Sequence, residues 1–212
     1  MKCLIVSGGN APSSKIFCKY VEESDYMIAA DKGIETFYKN NVIPNMLVGD
    51  FDSANKHILA EMSTKIDQIK KLNPEKDYPD TWTAINEAIE KGAEKIYLLG
   101  ATGTRLDHTL GNIGLLMMAK DKGIELEIID NNNKIYLAKK NKMKIYGEFG
   151  ETISFHALSD CVKNFEIKGA KYNLEKYDMS LLYPRALCNE FLDTPIEISY
   201  DEGELLILHS ID

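Results

Sequence analysis

The first 130 residues repeat one arrangement: a short, nearly unbroken apolar run, a polar turn, then a stretch with helical periodicity. The runs are "KCLIVSG", "YMIAAD", "NMLVGD", the weaker "IDQIKKL", "KIYLLG" and "ELEIID". Strands that are apolar on both faces need cover on both faces, and alternation with helices supplies it. The spacing predicts helices over Ser13 to Glu23, "GIETFYKNN", "ANKHILAEMSTK", "DTWTAINEAIEKG" and "RLDHTLGNIGLLMMAKDKG". In the fourth, Trp82, Ile85, Ala88 and Ile89 are expected on one buried face, with Gly92 as the residue that ends the helix. The N-terminal part is therefore expected to be α/β, a mostly parallel sheet with helices on both faces.

The pattern changes after about residue 138. "AKKNKMK" reads as a solvated connector, and beyond it come short runs, "KIYGEF", "TISFHAL", "NFEIKG", "IEISY" and "ELLILHS", broken by Gly, Asp and Pro. This predicts a C-terminal all-β sandwich over residues 139–212 behind an α/β domain over 1–138. About seventy residues make a marginal core, so the second domain should lean on the first or on another subunit.

Composition narrows the partners. A net charge of −8 and a pI near 5.1 argue against a general nucleic-acid or membrane-surface binder. Cys3, Cys18, Cys161 and Cys188 form no CxxC pair and no zinc spacing, so free thiols in a reducing compartment are expected. "MKCLIVSGGN" is too short in its apolar core for a signal peptide, and no run approaches the roughly 20 residues that cross a bilayer. The expectation is a cytoplasmic protein.

The polar residues fall in register with the strands. The first strand ends in Ser7-Gly8-Gly9-Asn10, the second in Asp31-Lys32-Gly33 and the third in Gly49-Asp50-Phe51-Asp52-Ser53. The fourth runs into "NPEKDYPD" and the fifth into "GATGTRLDH". Ligands of open α/β sheets bind at that carboxyl edge. Asp50 and Asp52 lie two apart on a turn, which reads either as an Asp-rich turn with Asp52 bonding nearby backbone N–H groups or as two carboxylates converging on a divalent cation such as Mg²⁺. Phe51, between them, is expected to point into the core. Asp80 precedes a helix and reads as its N-cap, as a metal ligand, or as both. In the glycine-rich turn, Gly100 and Gly103 let backbone N–H groups approach an anion, and Arg105 offers a planar fork for phosphate. Asp107 reads alternatively as a first-turn acid complementing the helix dipole, and His108 as a structural histidine. Neither a Walker P-loop nor GxGxxG is present.

"ADKG", "GDFDS", "EKDYPDTWTAI" and "GATGTRLDHTLGNI", in that order, followed by "DNNNKIYL", "GAKYNLE" and "CNEF", resemble the thiamine pyrophosphokinase family. The resemblance implies an α/β domain followed by a β-sandwich, in a homodimer with active sites at the subunit interface. It implies transfer of a diphosphate from ATP to the hydroxyethyl oxygen of thiamine, giving thiamine diphosphate and AMP. Asp50, Asp52 and Asp80 are then the implied Mg²⁺ ligands, and Asp31, Lys32, Asp77, Arg105 and Asp107 the surrounding ATP and substrate contacts. Within the same blocks Gly33, Ser53, Thr102, His108 and Asn112 are placed with the nucleotide. Asp107 or Asp77 would accept the alcohol proton. Tyr172, Cys188 and Asn189 are the pocket-wall residues for thiamine, with an ordinary core position as the other reading of Tyr172. Two positions depart from the family pattern: Pro79 stands for a Thr, and Cys188 for a Ser associated with the pyrimidine. Three other readings compete: an aspartyl-phosphate phosphatase or phosphotransferase with Asp50 as nucleophile, a DxD nucleotide-sugar transferase, and a non-catalytic nucleotide and thiamine sensor.

Overall fold

The computed structural model describes residues 1–75, 78–183 and 185–211. The chain divides into two compact units, Met1–Asn131 and Asn132–Asp212.

In the first unit, β1 (Lys2–Val6), α1 (Ser14–Glu22), β2 (Tyr26–Ala30), α2 (Ile34–Lys39), β3 (Met46–Gly49), α3 (Lys56–Ser63) and β4 (Gln68–Lys71) follow one another. α4 (Asp80–Glu90), β5 (Lys95–Leu99), α5 (Leu106–Asp121) and β6 (Glu125–Ile129) complete it. The strands lie in the order β6-β5-β1-β2-β3-β4 and pair in parallel throughout. Both faces of the sheet are buried, as the apolar runs require. Leu4 and Val6 share a core with Phe17 of α1, Phe37 of α2 and Met62 of α3. α4 packs across β1, β2 and β3, and α5 against β6. β4 is fully exposed, which accounts for its weaker apolar pattern as an edge strand.

The helix ends follow local chemistry. Ser13 caps α1 by accepting from Ile16 N, and Asn55 caps α3 by accepting from His57 N at 3.0 Å. α4 closes with a Schellman pair, Ala93 N to Ala88 O at 3.0 Å and Gly92 N to Ile89 O at 2.9 Å, with Gly92 at φ +86°. Its buried face, however, is Thr81, Ala84, Ile85, Glu87 and Ala88, whereas Trp82 and Ile89 are half-buried. Trp82 spends its surface on a neighbouring ring instead of the core, stacking on Tyr78.

The second unit holds β7 (Asn133–Leu137), β8 (Lys142–Ile145), β9 (Thr152–Ala157), β10 (Val162–Lys168), β11 (Leu174–Met179), β12 (Ala186–Glu190), β13 (Ile196–Ser199) and β14 (Leu205–Ser210). They form two antiparallel groups, β12-β9-β14-β7 and β11-β10-β13-β8. Ile153, Phe155 and Ala157 of β9 and Leu205 and Ile207 of β14 meet Phe165 and Ile167 of β10 and Ile198 of β13 in one core. This is the expected sandwich. The lysine-rich segment read as a connector already contains β8. Its exposed Lys142 and Lys144 alternate with the more buried Met143 and Ile145, so it reads as polar although every second residue packs inward.

Candidate functional site

β1 is the strand where the order reverses, with β2 on one side and β5 on the other. Loops leaving such neighbours run apart and open a crevice beyond their carboxyl ends. Here the crevice has a floor. The turns after β1 and β5 continue to pair, through Ser7 N to Leu99 O, Gly9 N to Gly100 O and Asn10 N to Thr102 O, each at 2.8 Å. The approach tolerates no side chain at Gly100, where φ is +64° and a Cβ would stand 2.3 Å from Ser7 O. Gly33 is equally constrained, because a Cβ there would meet Val6 O at 1.9 Å. A cleft of about 530 Å³ results, lined among others by Asp31, Lys32, Ser53, Asp80, Thr102, Arg105, His108 and Asn112.

Beside it stand three acids. Ala30 of β2 is in register with Val48 of β3, so Asp31 and the turn "GDFDS" leave the sheet side by side. Asp31, Asp50 and Asp52 each offer a carboxylate oxygen, all within 4.8 Å of one another. Asp50 Oδ1 accepts from Asp52 N at 3.1 Å, and Ser53 Oγ donates to Asp31 Oδ2. The turn bond expected of Asp52 is made by Asp50, whose carboxylate accepts from the Asp52 N–H. Asp31 Oδ1 is shut off from solvent with no hydrogen-bond partner among the described residues. Phe51 turns into the core, as expected, at the cost of a left-handed φ of +68°. A bulky residue holds such a backbone only where its surroundings impose it. The carboxyl of Asp52 is pushed up from its ordinary value, first by its hydrogen bond to Asp50 and then by the charges of Asp50 and Asp31, with the Ser53 backbone opposing. Close carboxylates, a raised acid and an orphaned oxygen together suit a hard divalent cation.

Asp80 is not the N-cap of α4. Pro79 occupies that position without a capping side chain, and Asp80 is the first helical residue, in the turn lining the cleft. The tight acid group thus contains Asp31, with Asp80 on the cleft wall. Sequence spacing alone does not disclose this, because Asp31 joins through the β2–β3 register. Asp77 lies outside the described residues.

At the β5–α5 turn, which also lines the cleft through Arg105, the electrostatics reverse. Arg105 grips Asp107 with both arms of its fork, Nε to Oδ1 at 3.2 Å and Nη2 to Oδ2 at 2.6 Å. Asp107 is driven down to about 2, chiefly by that bond and also by the His108 backbone N–H, although the group is solvent-exposed. A carboxylate so well satisfied is a weak base. His108 is exposed on the cleft rather than buried as a structural histidine. Thr102 Oγ1 donates to Asp130 Oδ2 at 2.8 Å and Asn112 Nδ2 to Ala101 O at 2.7 Å, so both brace the β5–α5 turn. Not anticipated was the buried contact of Ser7 Oγ with Thr81 Oγ1 at 2.9 Å, which ties the end of β1 to the first turn of α4. Its only signal is a hydroxyl residue directly after an apolar run.

In the second unit, Asn189 is buried and clamps Tyr172 as a backbone would, accepting from Tyr172 N at 2.9 Å and donating to Tyr172 O at 2.7 Å. The Tyr172 side chain is 59% exposed, so the core reading of it is set aside. Cys188 is exposed at φ +51°, its N–H donating to Ser154 Oγ at 3.0 Å, where the β9–β12 register shifts. The three predicted residues are thus neighbours on one feature.

A parallel-sheet unit with paired acid and arginine walls at its switch point, joined to a β-sandwich unit, defines a two-unit phosphate-transfer type of protein. Residues 17–128 match the thiamin pyrophosphokinase catalytic domain and residues 133–205 the thiamin pyrophosphokinase vitamin B1 binding domain. The chain belongs to the thiamin pyrophosphokinase family. It is 29% identical over 209 residues to thiamine pyrophosphokinase of Bacillus subtilis (strain 168), covering 98% of each chain. The solved structure of a Bacillus subtilis thiamine pyrophosphokinase matches with a TM-score of 0.89 at 28% identity, covering 100% of both chains. Thiamin pyrophosphokinase from Candida albicans shares the fold, with a TM-score of 0.85 at 18% identity, covering 100% of this chain and 89% of the other.

Proposed function

We propose that this protein is an ATP:thiamine diphosphotransferase that makes thiamine diphosphate and releases AMP. The single observation that carries the reading is one cleft lined by Asp31, which belongs to a tight group of three acids, and by Arg105 and its glycine-rich turn, in a chain of this family. Asp31, Asp50 and Asp52 would hold Mg²⁺, with Asp80 lining the same cleft. Bound there, the metal supplies positive charge against the phosphate oxygens of ATP. Ser53 fixes the Asp31 carboxylate by its hydrogen bond. Lys32 and the N–H groups of the β5–α5 turn line the space for the remaining phosphate charge.

Diphosphate transfer attacks the β-phosphorus, so charge must be neutralised on both the moving group and the departing AMP. Arg105 is suited to that task, because its fork matches two phosphate oxygens once it leaves Asp107. Asp107 acts by positioning Arg105, holding its fork in place until a phosphate claims it. Holding the alcohol oxygen in line with the β-phosphorus contributes much of the rate.

Tyr172, Cys188 and Asn189 form the thiamine wall in this reading, supplied by the sandwich of a second copy. Leu106 and Leu110, 71% and 68% exposed on the first turns of α5 beside Arg105, support a homodimer whose sites lie at the subunit interface. Among the described residues no helix is long and apolar enough to cross a membrane. From the net charge of −8 we further propose a cytoplasmic location, with no nucleic acid or membrane as partner. The phosphatase and nucleotide-sugar transferase readings are not favoured, since the match extends through both domains.

Product analysis after incubation with thiamine, ATP and Mg²⁺ tests the proposal. AMP with thiamine diphosphate is the expected outcome. ADP or inorganic phosphate would contradict it, and tight binding without turnover would leave the sensor reading.

A further inference from the structure

An aromatic pair beside the Pro79–Thr81 segment takes no part in the chemistry above. Tyr78 and Trp82 stack with ring centroids 4.1 Å apart and planes 14° from parallel. Trp82 is half-buried on α4, while Tyr78 is 54% exposed with Trp82 against one face. A tyrosine that merely filled a gap would bury its ring; this one leaves a broad, flat apolar face in water. Its rotamer is already fixed by the stack, so a planar ligand would meet a surface whose ordering cost has been met in the free protein. The residues that follow it, Pro79, Asp80 and Thr81, all line the cleft. The platform is therefore joined through the chain to the wall of the space read above as the nucleotide's.

We propose that Tyr78, backed by Trp82, is the stacking platform for the base of the nucleotide donor. The inference rests on the reading of the cleft as an ATP site. Phosphate recognition by acids, Arg105 and backbone N–H groups is indifferent to the base, so a second element is needed to distinguish a nucleotide from inorganic polyphosphate. Every nucleobase presents a π-face, and aromatic stacking is worth about tenfold or more in affinity per base. Such a platform favours nucleoside triphosphates as a class over tripolyphosphate and discriminates only weakly among bases. A purine, with the larger surface, stacks best.

The chain has one tryptophan, so emission excited selectively at tryptophan, beyond tyrosine absorption, reports on Trp82 alone. The full-length protein with Mg²⁺ would be titrated separately with ATP, tripolyphosphate and thiamine, following emission and, by calorimetry, affinity. We expect ATP to change the emission while tripolyphosphate binds without doing so. Tyr78→Ala should weaken ATP about tenfold and leave tripolyphosphate unchanged, and Tyr78→Phe, which keeps the ring, should retain the ATP affinity. Equal weakening of ATP and tripolyphosphate in Tyr78→Ala would mean that the ring only shapes the loop, and would overturn the proposal. So would unchanged affinity for both, or an effect confined to thiamine. The same preparations are assayed for AMP and thiamine diphosphate. Wild-type turnover without the ATP-selective effect rejects the platform alone, whereas failure of the wild type to bind ATP or tripolyphosphate rejects the nucleotide site and the platform with it.

Discussion

Two groups of aspartates follow the carboxyl ends of the sheet strands and have opposite electrostatic fates. Asp31, Asp50 and Asp52 bring carboxylate oxygens within 4.8 Å of one another; Asp52 is pushed up, and one oxygen of Asp31 is buried without a partner among the described residues. Asp107, in the first turn of α5, is held by both arms of Arg105 and pushed down. The same residue type thus leaves its charge incompletely balanced in one place and is matched by an arginine in the other. The first group gains most from a cation. The second gives up an exposed pair, worth little in water, when an anion arrives to claim the arginine.

The predicted effects follow that contrast. Asp50→Asn, which removes charge from the incomplete group, should lower Mg²⁺-dependent turnover by about a thousandfold, equivalent to about 4 kcal/mol of transition-state stabilisation. Circular dichroism and thermal melting should show the fold intact, and retained activity would remove Asp50 from the site. Arg105→Lys keeps the charge and loses the fork, so kcat should fall about tenfold to a hundredfold. Asp107→Asn is the sharper test of the pair. Because Asp107 only positions the arginine, kcat should fall less than about tenfold. A collapse to the level of Asp50→Asn would make Asp107 the base after all.

Most of this architecture is legible in the chain because the first unit's strands are buried on both faces. Each apolar run ends abruptly at its polar turn, so "MLVGDFDS" marks both the end of β3 and the start of the site. Arg105, His108 and Asp80 on the cleft wall follow from the same rule. What spacing does not show is lateral order. Asp31 meets Asp50 and Asp52 only because β2 and β3 are neighbours in a given register. In the second unit the period of two is broken. Val162 and Phe165 of β10 are both buried although three apart, with Asn164 between them at φ +51° and the β10–β11 register shifting there. Most residues of β11 are exposed or half-buried, so the strand carries little apolar signal. Asn189, expected on a pocket wall, is buried and its amide holds the Tyr172 turn, a role that spacing does not disclose.

The most direct measurement is a calorimetric Mg²⁺ titration of wild type, Asp50→Asn and Asp107→Asn across pH. A cation needs the acid group ionised, and the raised carboxyl of Asp52 holds its proton above the ordinary carboxylate range. The folded protein therefore takes up that proton first as pH falls. Wild-type Mg²⁺ affinity should decline through this window, with protons released on binding, and should be restored above it. Asp50→Asn should lose most of the affinity and Asp107→Asn almost none. Equal Mg²⁺ affinity in all three proteins, flat with pH, would contradict the assignment of the cation to Asp31, Asp50 and Asp52.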